Sequence, residues 1–335
     1  MSSRAPHAAP VIDGLVYFCD GSPAALAAGG VDAANVTVTD MFWDLRRTFE
    51  EMGRWRERVA RPDSGWRLVE SADDILAAKA ERQTGLIMGW QSITPLEGRI
   101  EPVAAFHALG LRVVQITYNE ASAAGDGCIE ERGGGLTRFG RALVAELNRV
   151  GIAIDLSHCG ERTAYEAARA SEKPVFLTHA NAKAIDNRVR NKEDDTIRAV
   201  AATGGVIGVS IHGFMNWDGD RNHPPSLENF VRHARYVADL VGVEHVGIGT
   251  DFSAVLDDES VRSILNMSKS SYPETGGVFA AAFGNDSKGR YPKETPTPRE
   301  FPRILEALAQ GGFTPREVEA IGGGNLLRAF GHAWG

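Results

Sequence analysis

The chain has 335 residues, of which 43% are hydrophobic and 24% charged, as is usual for a globular protein. Its formal net charge of -8 argues against nucleic acid or an anionic membrane surface as the main partner. Three cysteines without paired spacing predict free thiols, and the N-terminal residues lack the apolar segment of a secretory signal, so we expect a cytoplasmic protein.

Strand-like apolar runs alternate with amphipathic helices along the chain. We predict strands at 10–18, 84–90, 111–118, 151–158, 174–180, 204–212 and 245–252, and an eighth strand at 318–325. Residues 21–35 are predicted to form a loop and 36–59 a helix, and Ser71 and Thr137 are predicted helix N-caps. About eight strand–helix units favour an α/β fold, a (β/α)₈ TIM-like barrel, over an open doubly wound sheet.

One segment is long for a barrel loop. Residues 253–299 are rich in Gly, Ser, Pro and Lys and follow the seventh predicted strand, on the catalytic face of a barrel. A segment of this length is typically a lid or a disordered excursion. We therefore predict a single domain over 1–335, with a lid-like insertion at 253–299.

Two of the predicted strands end in histidine. His158 ends the run beginning at Gly151, and His179 ends the next one, with a single predicted helix between them. Because the carboxyl ends of neighbouring parallel strands meet at the same barrel mouth, the two imidazoles are expected to lie side by side. Two imidazoles and a carboxylate are a plausible ligand set for one divalent metal such as zinc.

Other polar residues fall at predicted strand ends or in the following loops. Asp251, after Gly-Ile-Gly-Thr, can serve as a general base, and Arg190 can bind a substrate carboxylate through two parallel hydrogen bonds. Gln91 and His212 end two further strands and are candidate substrate-binding residues. An ordinary structural role remains open for each of these residues, most of all for His212.

Several motifs, taken in order, resemble the renal or membrane dipeptidase family, peptidase family M19 of the amidohydrolase-like barrels. They include Pro-Val-Ile-Asp-Gly at 10–14, the runs around His158 and His179, Arg190-Asn191, and the run ending at Asp251. The resemblance implies that His158 and His179 bind metal, that Asp251 is the catalytic aspartate and that Arg190 holds the substrate's carboxylate. It also implies a small dipeptide-like or amino-acid-derived substrate and a possible homodimer.

Four positions depart from the family pattern. Where the family has His-x-Asp on its first strand, this chain has Leu15, Val16 and Tyr17. Gln91 stands at the position of the glutamate that bridges two zinc ions, and Tyr118 at that of a substrate-binding histidine. Because leucine has no donor atom and glutamine no charge, a binuclear centre is not expected.

Three functions remain open from the sequence. The first is hydrolysis of an amide-type bond with one divalent metal on His158 and His179, completed by His212 or water. The second is metal-independent lyase or isomerase chemistry, in which the two histidines, Tyr17, Tyr118 and Asp251 act as acids and bases. The third is a ligand-binding homologue without turnover.

Overall fold

A computed structural model of the chain describes residues 9–18, 21–216, 224–253 and 290–335. Its centre is a ring of parallel strands in which each strand pairs with its neighbours in sequence order, apart from one short outer strand. The strands are β1 Ile12–Phe18, β2 Ala33–Thr37, β3 Trp66–Leu68, β4 Thr84–Trp90, β5 Leu111–Gln115, β6 Ala153–Asp155, β7 Val175–Leu177, β8 Val206–Val209, β9 Val246–Ile248 and β10 Phe252–Ser253.

The ring closes through β9 and β10, which are separated by only three residues. Strand β9 pairs with β8, whereas β10 pairs with β1, both in parallel. Strand β3 lies outside the ring and pairs with β4 alone. Eight strand positions therefore enclose the centre, and the predicted (β/α)₈ barrel is confirmed.

Helices cover the outside and the amino-terminal end of the ring in the described part of the chain. They are α1 Ala24–Ala28, α2 Leu45–Val59, α3 Ala72–Glu81, α4 Pro102–Ala108, α5 Arg138–Val150, α6 Glu161–Ala170, α7 Asp194–Ala202, α8 Leu227–Val241, α9 Phe301–Gln310, α10 Pro315–Glu319 and α11 Asn325–Trp334. Both predicted caps are confirmed, because the Ser71 and Thr137 hydroxyls accept hydrogen bonds from Asp74 and Gly140 backbone N–H groups. Helix α6 also lies between β6 and β7, as predicted.

The prediction for residues 21–59, a loop followed by a helix, was wrong for the residues before Leu45. Residues assigned to a loop and to the start of a helix contain α1 and β2, and α2 begins only at Leu45. Strand β2 is Ala-Ala-Asn-Val-Thr, a run with few of the branched residues that mark strands. Its position between β1 and β4, with Ala33 and Ala34 fully buried, determines its conformation more than its own propensity does.

The predicted eighth strand at 318–325 was also wrong. These residues lie in α10, a π-helical turn at Ala320–Gly324, and the start of α11. A side-chain carbon at Gly323 would overlap the Pro10 carbonyl oxygen, so the glycines let this turn approach the beginning of β1. The position assigned to an eighth strand in the ring belongs instead to β2.

The amino-terminal end of the barrel is closed by α11. Phe330 of this helix stacks on Phe176 of β7, with the ring centroids 4.8 Å apart, and Trp334 stacks on Phe330 at 4.7 Å. Around them lies an apolar layer of strand residues, namely Ile12, Ala33, Ile87, Val113, Ala153 and Val206. The only open end of the ring is therefore the carboxyl end of the strands, as far as the described residues show.

Most of the predicted insertion at 253–299 lies outside the described residues. Ser253 belongs to β10, and residues 290–299 return to the barrel before α9. The single-domain organisation and the lid-like role stay predictions.

Candidate active site at the barrel mouth

The two predicted metal-binding histidines contact each other directly. His158 follows β6 by three residues and His179 follows β7 by two, and both side chains are buried. Their Nε2 atoms are 3.0 Å apart, and their ring centroids 5.1 Å apart. The barrel therefore brings the two imidazoles together at its mouth.

Each histidine is oriented through its other ring nitrogen. His158 Nδ1 lies 2.8 Å from the Asn119 side-chain oxygen, and His179 Nδ1 lies 2.8 Å from the Thr178 hydroxyl. The Thr178 hydroxyl donates to Asp155 Oδ2 at 2.7 Å. Support of this kind at Nδ1 is what metal-binding histidines usually have, because it turns Nε2 toward the ion.

The electrostatic surroundings keep both rings neutral. Burial, followed by the positive charge of Arg190, holds the pKa values of His158 and His179 well below the usual value. Neutral imidazole is the form that binds metal.

The residues present fit one metal and only part of its ligand set. Two Zn–N bonds of about 2.1 Å at a tetrahedral angle place the nitrogens roughly 3.4 Å apart, close to the observed 3.0 Å. Within the described residues, however, no group of three or more His, Cys, Asp or Glu side chains could hold a metal. Water or substrate would supply the other ligands of the metal.

The positions that depart from the family pattern supply no anionic ligand. Leu15 is buried, with 2% of its surface exposed, and its side chain is apolar. The Gln91 side-chain amide donates to the Thr37 hydroxyl at 2.9 Å, and the Gln91 backbone carbonyl accepts from the Gln115 side-chain amide. Gln91 is thus held by neutral hydrogen bonds at the ends of β4 and β2, and it brings no charge to a metal.

Tyr118 and Arg190 adjoin the histidine pair. The Tyr118 ring stacks on that of His158, with centroids 4.4 Å apart and planes 20° apart. Burial holds the pKa of Tyr118 well above the usual value, so its hydroxyl stays a proton donor. The Arg190 guanidinium donates to the backbone carbonyls of Ser157 and His179, which fixes its plane.

Asp251 occupies the turn between β9 and β10. Its φ is 58°, in the left-handed region that non-glycine residues seldom adopt. Burial raises the pKa of Asp251 to about 7, and the positive charges of Arg190 and Arg290 oppose this increase. A carboxyl group that titrates near neutral pH is suited to general acid–base catalysis.

Two aspartates hold the residues before His179 and Asp251 in the same way. Asp155 accepts from the backbone N–H of Thr178 at 2.9 Å and from its hydroxyl at 2.7 Å. Asp13 accepts from the backbone N–H of Thr250 at 2.9 Å and from its hydroxyl at 2.6 Å. Each Asp–Thr pair therefore fixes the strand end that delivers a candidate site residue.

The remaining predicted residues lie around this centre. Burial raises the pKa of Tyr17, the negative charges of Asp40 and Asp251 add to this increase, and the positive charge of Arg290 opposes it. The His212 ring packs edge-on against Tyr291 at 5.4 Å, and burial holds its pKa well below the usual value. Tyr17 thus lies within electrostatic range of Asp251, and His212 contacts the tyrosine whose hydroxyl bonds the backbone of Asp251.

Sequence reasoning missed the supporting residues Asn119, Asp13, Asp155 and Tyr291. The two aspartates could have been noticed in the sequence, because a threonine precedes both His179 and Asp251. An aspartate of another strand bonds each threonine. Asn119 is next to Tyr118 and could have been noted with it. Tyr291 had no signal, because nothing in the sequence shows where the chain returns after residue 253.

An open pocket of ≈ 510 Å³ adjoins Tyr118. Its wall comes from the segments after β2, β4 and β5, and includes Met41, Phe42, Ser92, Ile93 and Glu120. A volume of this size accommodates a small ligand with an apolar group.

The chain was compared with known proteins. A family model for membrane dipeptidases, peptidase family M19, matches residues 25–266. Dipeptidase tcpJ of Claviceps purpurea is 25% identical over 287 residues, covering 85% of this chain and 59% of that protein. The chain thus spans less than two thirds of this relative's length.

Solved structures extend the likeness to nearly the whole chain. An amidohydrolase from Pseudomonas aeruginosa superposes with a TM-score of 0.81 at 30% identity, over 97% of each chain. A metallo peptidase from Rhodobacter sphaeroides, liganded with a phosphinate mimic of the dipeptide L-Ala-D-Ala, superposes with a TM-score of 0.77 at 20% identity, over 97% of this chain and 99% of that one. The second likeness shows the fold alone.

The helices in the described ranges, 9–18, 21–216, 224–253 and 290–335, include none that is long and apolar enough to cross a membrane.

Proposed function

Since the chain belongs to the membrane dipeptidase family, peptidase family M19, we propose that it hydrolyses an amide-type bond in a small substrate bearing a carboxylate. The observation that carries this proposal is the pair of Nε2 atoms, 3.0 Å apart, at the carboxyl end of the barrel. Catalytic residues of barrel enzymes lie at this end. The dipeptide mimic bound by the Rhodobacter sphaeroides metallo peptidase supports a substrate of dipeptide size.

His158 and His179 would hold one divalent metal, which when bound supplies a Lewis acid to polarise a carbonyl oxygen or a water molecule. Asp251 takes the proton from the attacking water, and its pKa of about 7 lets it return that proton to the leaving amine. The Tyr118 hydroxyl remains protonated and can donate a hydrogen bond to the oxygen that becomes negative.

Arg190 binds the carboxylate of the substrate. Its two bonds to backbone carbonyls use only part of a guanidinium that has five N–H donors, so others can pair with a carboxylate. Tyr17, Gln91 and His212 complete the substrate contacts. The pocket beside Tyr118 would receive an apolar side chain.

A second candidate is metal-independent acid–base chemistry of a lyase or isomerase. It is favoured by the direct contact of the two imidazoles and by the lack of a third ligand within the described ranges. Neutral histidines, a protonated tyrosine and a carboxyl group with a pKa near 7 can exchange protons with a substrate.

Metal content and turnover separate the two candidates. The purified protein is soaked in zinc, washed and analysed for metal, and hydrolysis of L-Ala-D-Ala and L-Ala-L-Ala is followed by release of free alanine. We expect close to one zinc per chain, turnover that a chelator abolishes, and recovery when zinc is returned.

The variant His158→Ala should lose both metal and turnover. His245→Ala is the matched control, because His245 bonds the Gly205 carbonyl at the amino ends of β9 and β8, opposite the site. Absence of metal after soaking would sink the one-metal proposal. Turnover that survives chelation would favour metal-independent chemistry, and dipeptide binding without turnover would favour a ligand-binding homologue.

A further inference from the structure

Tyr291 makes a pair of backbone contacts at the candidate catalytic aspartate, although it is 40 residues away in sequence. Its hydroxyl donates to the carbonyl oxygen of Asp251 at 2.6 Å. The same hydroxyl accepts from the backbone N–H of Ser253 at 3.0 Å. One side chain thus spans the turn on which Asp251 lies.

That turn needs external support. Asp251 has a φ of 58°, which brings the side chain of a non-glycine residue close to its own backbone. Its N–H donates to the Leu15 carbonyl at 3.0 Å, while its carbonyl accepts from Tyr291. The peptide groups on both sides of the strained residue are therefore held, one by β1 and the other by Tyr291.

Tyr291 is itself held firmly. Its ring packs edge-on against His212 at 5.4 Å and tilts against Phe252 at 5.0 Å, and 7% of its surface is exposed. The preceding residue, Arg290, accepts a backbone hydrogen bond from Gly213 at 2.6 Å. The returning chain is thereby fastened to the end of β8 and reaches across to β10.

We propose that Tyr291 is a positioning residue that keeps Asp251 in its left-handed conformation and so aims the carboxyl group at the substrate. This role rests on the proposed function of Asp251 as the proton acceptor. Strained backbone at functional sites persists only where the surroundings hold it, and the Tyr291 hydroxyl provides that hold. Without the hydroxyl, Asp251 can relax and its carboxyl group moves from the reacting atoms.

The test is Tyr291→Phe, which removes the hydroxyl and keeps the packed ring. With L-Ala-D-Ala as substrate, we expect kcat to fall by roughly tenfold to a hundredfold, as for a displaced catalytic group, with KM within about twofold. In an Asp251→Asn background the same substitution should have little further effect, because Tyr291 acts through the lost carboxylate.

Tyr236→Phe is the matched control, since the Tyr236 hydroxyl bonds Asp194 between two outer helices and should leave kcat unchanged. Wild-type kcat in Tyr291→Phe, or an equal loss in both backgrounds, would overturn the proposal. A crystal structure of Tyr291→Phe gives a second readout that needs no turnover. We expect φ of Asp251 to leave the left-handed region, and an unchanged Asp251 would also overturn the proposal.

The proposed hydrolysis and the positioning role of Tyr291 can fail separately. If the wild-type protein hydrolyses neither L-Ala-D-Ala nor L-Ala-L-Ala, the proposed function fails. The crystal structure of Tyr291→Phe would still decide whether Tyr291 holds Asp251 in its conformation.

Discussion

The two ends of the barrel are built from the same strands but have opposite chemistry. At the amino end, Phe176 of β7 meets Phe330 of α11 in an apolar layer. Three residues further along the same chain segment, His179 lies among Asp155, Thr178 and His158 at the carboxyl end. A short distance along one strand thus separates a closed hydrophobic seal from a buried polar site.

This contrast shows where the fold gains and loses stability. Burying an aromatic side chain such as Phe330 contributes about 2–3 kcal/mol by removal of apolar surface from water. At the other end, burial moves the pKa values of Asp251 and Asp13 to about 7, which means that the charged forms are disfavoured there. The apolar end therefore offsets the cost of assembling titratable groups at the mouth.

The largest effect that separates the two ends is expected from Phe330→Ala. Removing a fully buried phenylalanine should lower the free energy of unfolding by about 3–5 kcal/mol, measured by urea denaturation. At a temperature where the variant is folded, kcat/KM should equal that of wild type. Phe49→Ala is the control, since 52% of Phe49 is exposed. Equal destabilisation by both substitutions would contradict the assignment of α11 as the seal.

At the mouth, Asn119→Ala should act on the metal rather than on the fold. Loss of the partner of His158 Nδ1 is expected to weaken zinc binding about 10- to 100-fold, measured by competition with a zinc chelator. Asn148→Ala is the control, because Asn148 bonds Ser171 and Glu172 outside the barrel. Unchanged zinc affinity in Asn119→Ala would count against His158 as a ligand.

A smaller effect is expected from Arg190→Lys, which retains the charge but not the planar arrangement of donors. KM for L-Ala-D-Ala should rise roughly tenfold, because a lysine cannot make two parallel bonds to a carboxylate. The carboxyl-amidated dipeptide serves as the control substrate, and both enzymes should handle it alike. If KM rises equally for both substrates, Arg190 does not bind the carboxylate.

The smallest effect concerns pH near neutrality. With a pKa of about 7, Asp251 is half ionised at pH 7, so kcat/KM should rise about twofold between pH 7 and pH 8. The same shift destabilises the folded state as pH rises from about 4 to 7, because the folded protein holds the proton more tightly. Asp251→Asn should remove the pH dependence of kcat/KM and reduce that of stability, to which Asp13 contributes a similar shift. A pH-independent kcat/KM between 6 and 8 would exclude Asp251 as the titrating base.

Several features could be predicted from the sequence alone. The apolar runs that end in His158 and His179, with one helix between them, identified neighbouring strands and a barrel. The order of motifs around these residues indicated the family that the comparisons confirm. Both conclusions rest on local signals, namely strand periodicity, helix caps and polar residues at strand ends.

Other features were decided only by the tertiary structure. Strand β2 has weak strand propensity and exists because β1 and β4 pair with it on either side, while the glycine run at 322–324 packs as a helical turn under β1. The contact between Tyr291 and Asp251 joins segments 40 residues apart, which no spacing in the sequence reveals. Such features depend on which surfaces meet when the ring closes, and that is a property of the whole chain rather than of any one segment.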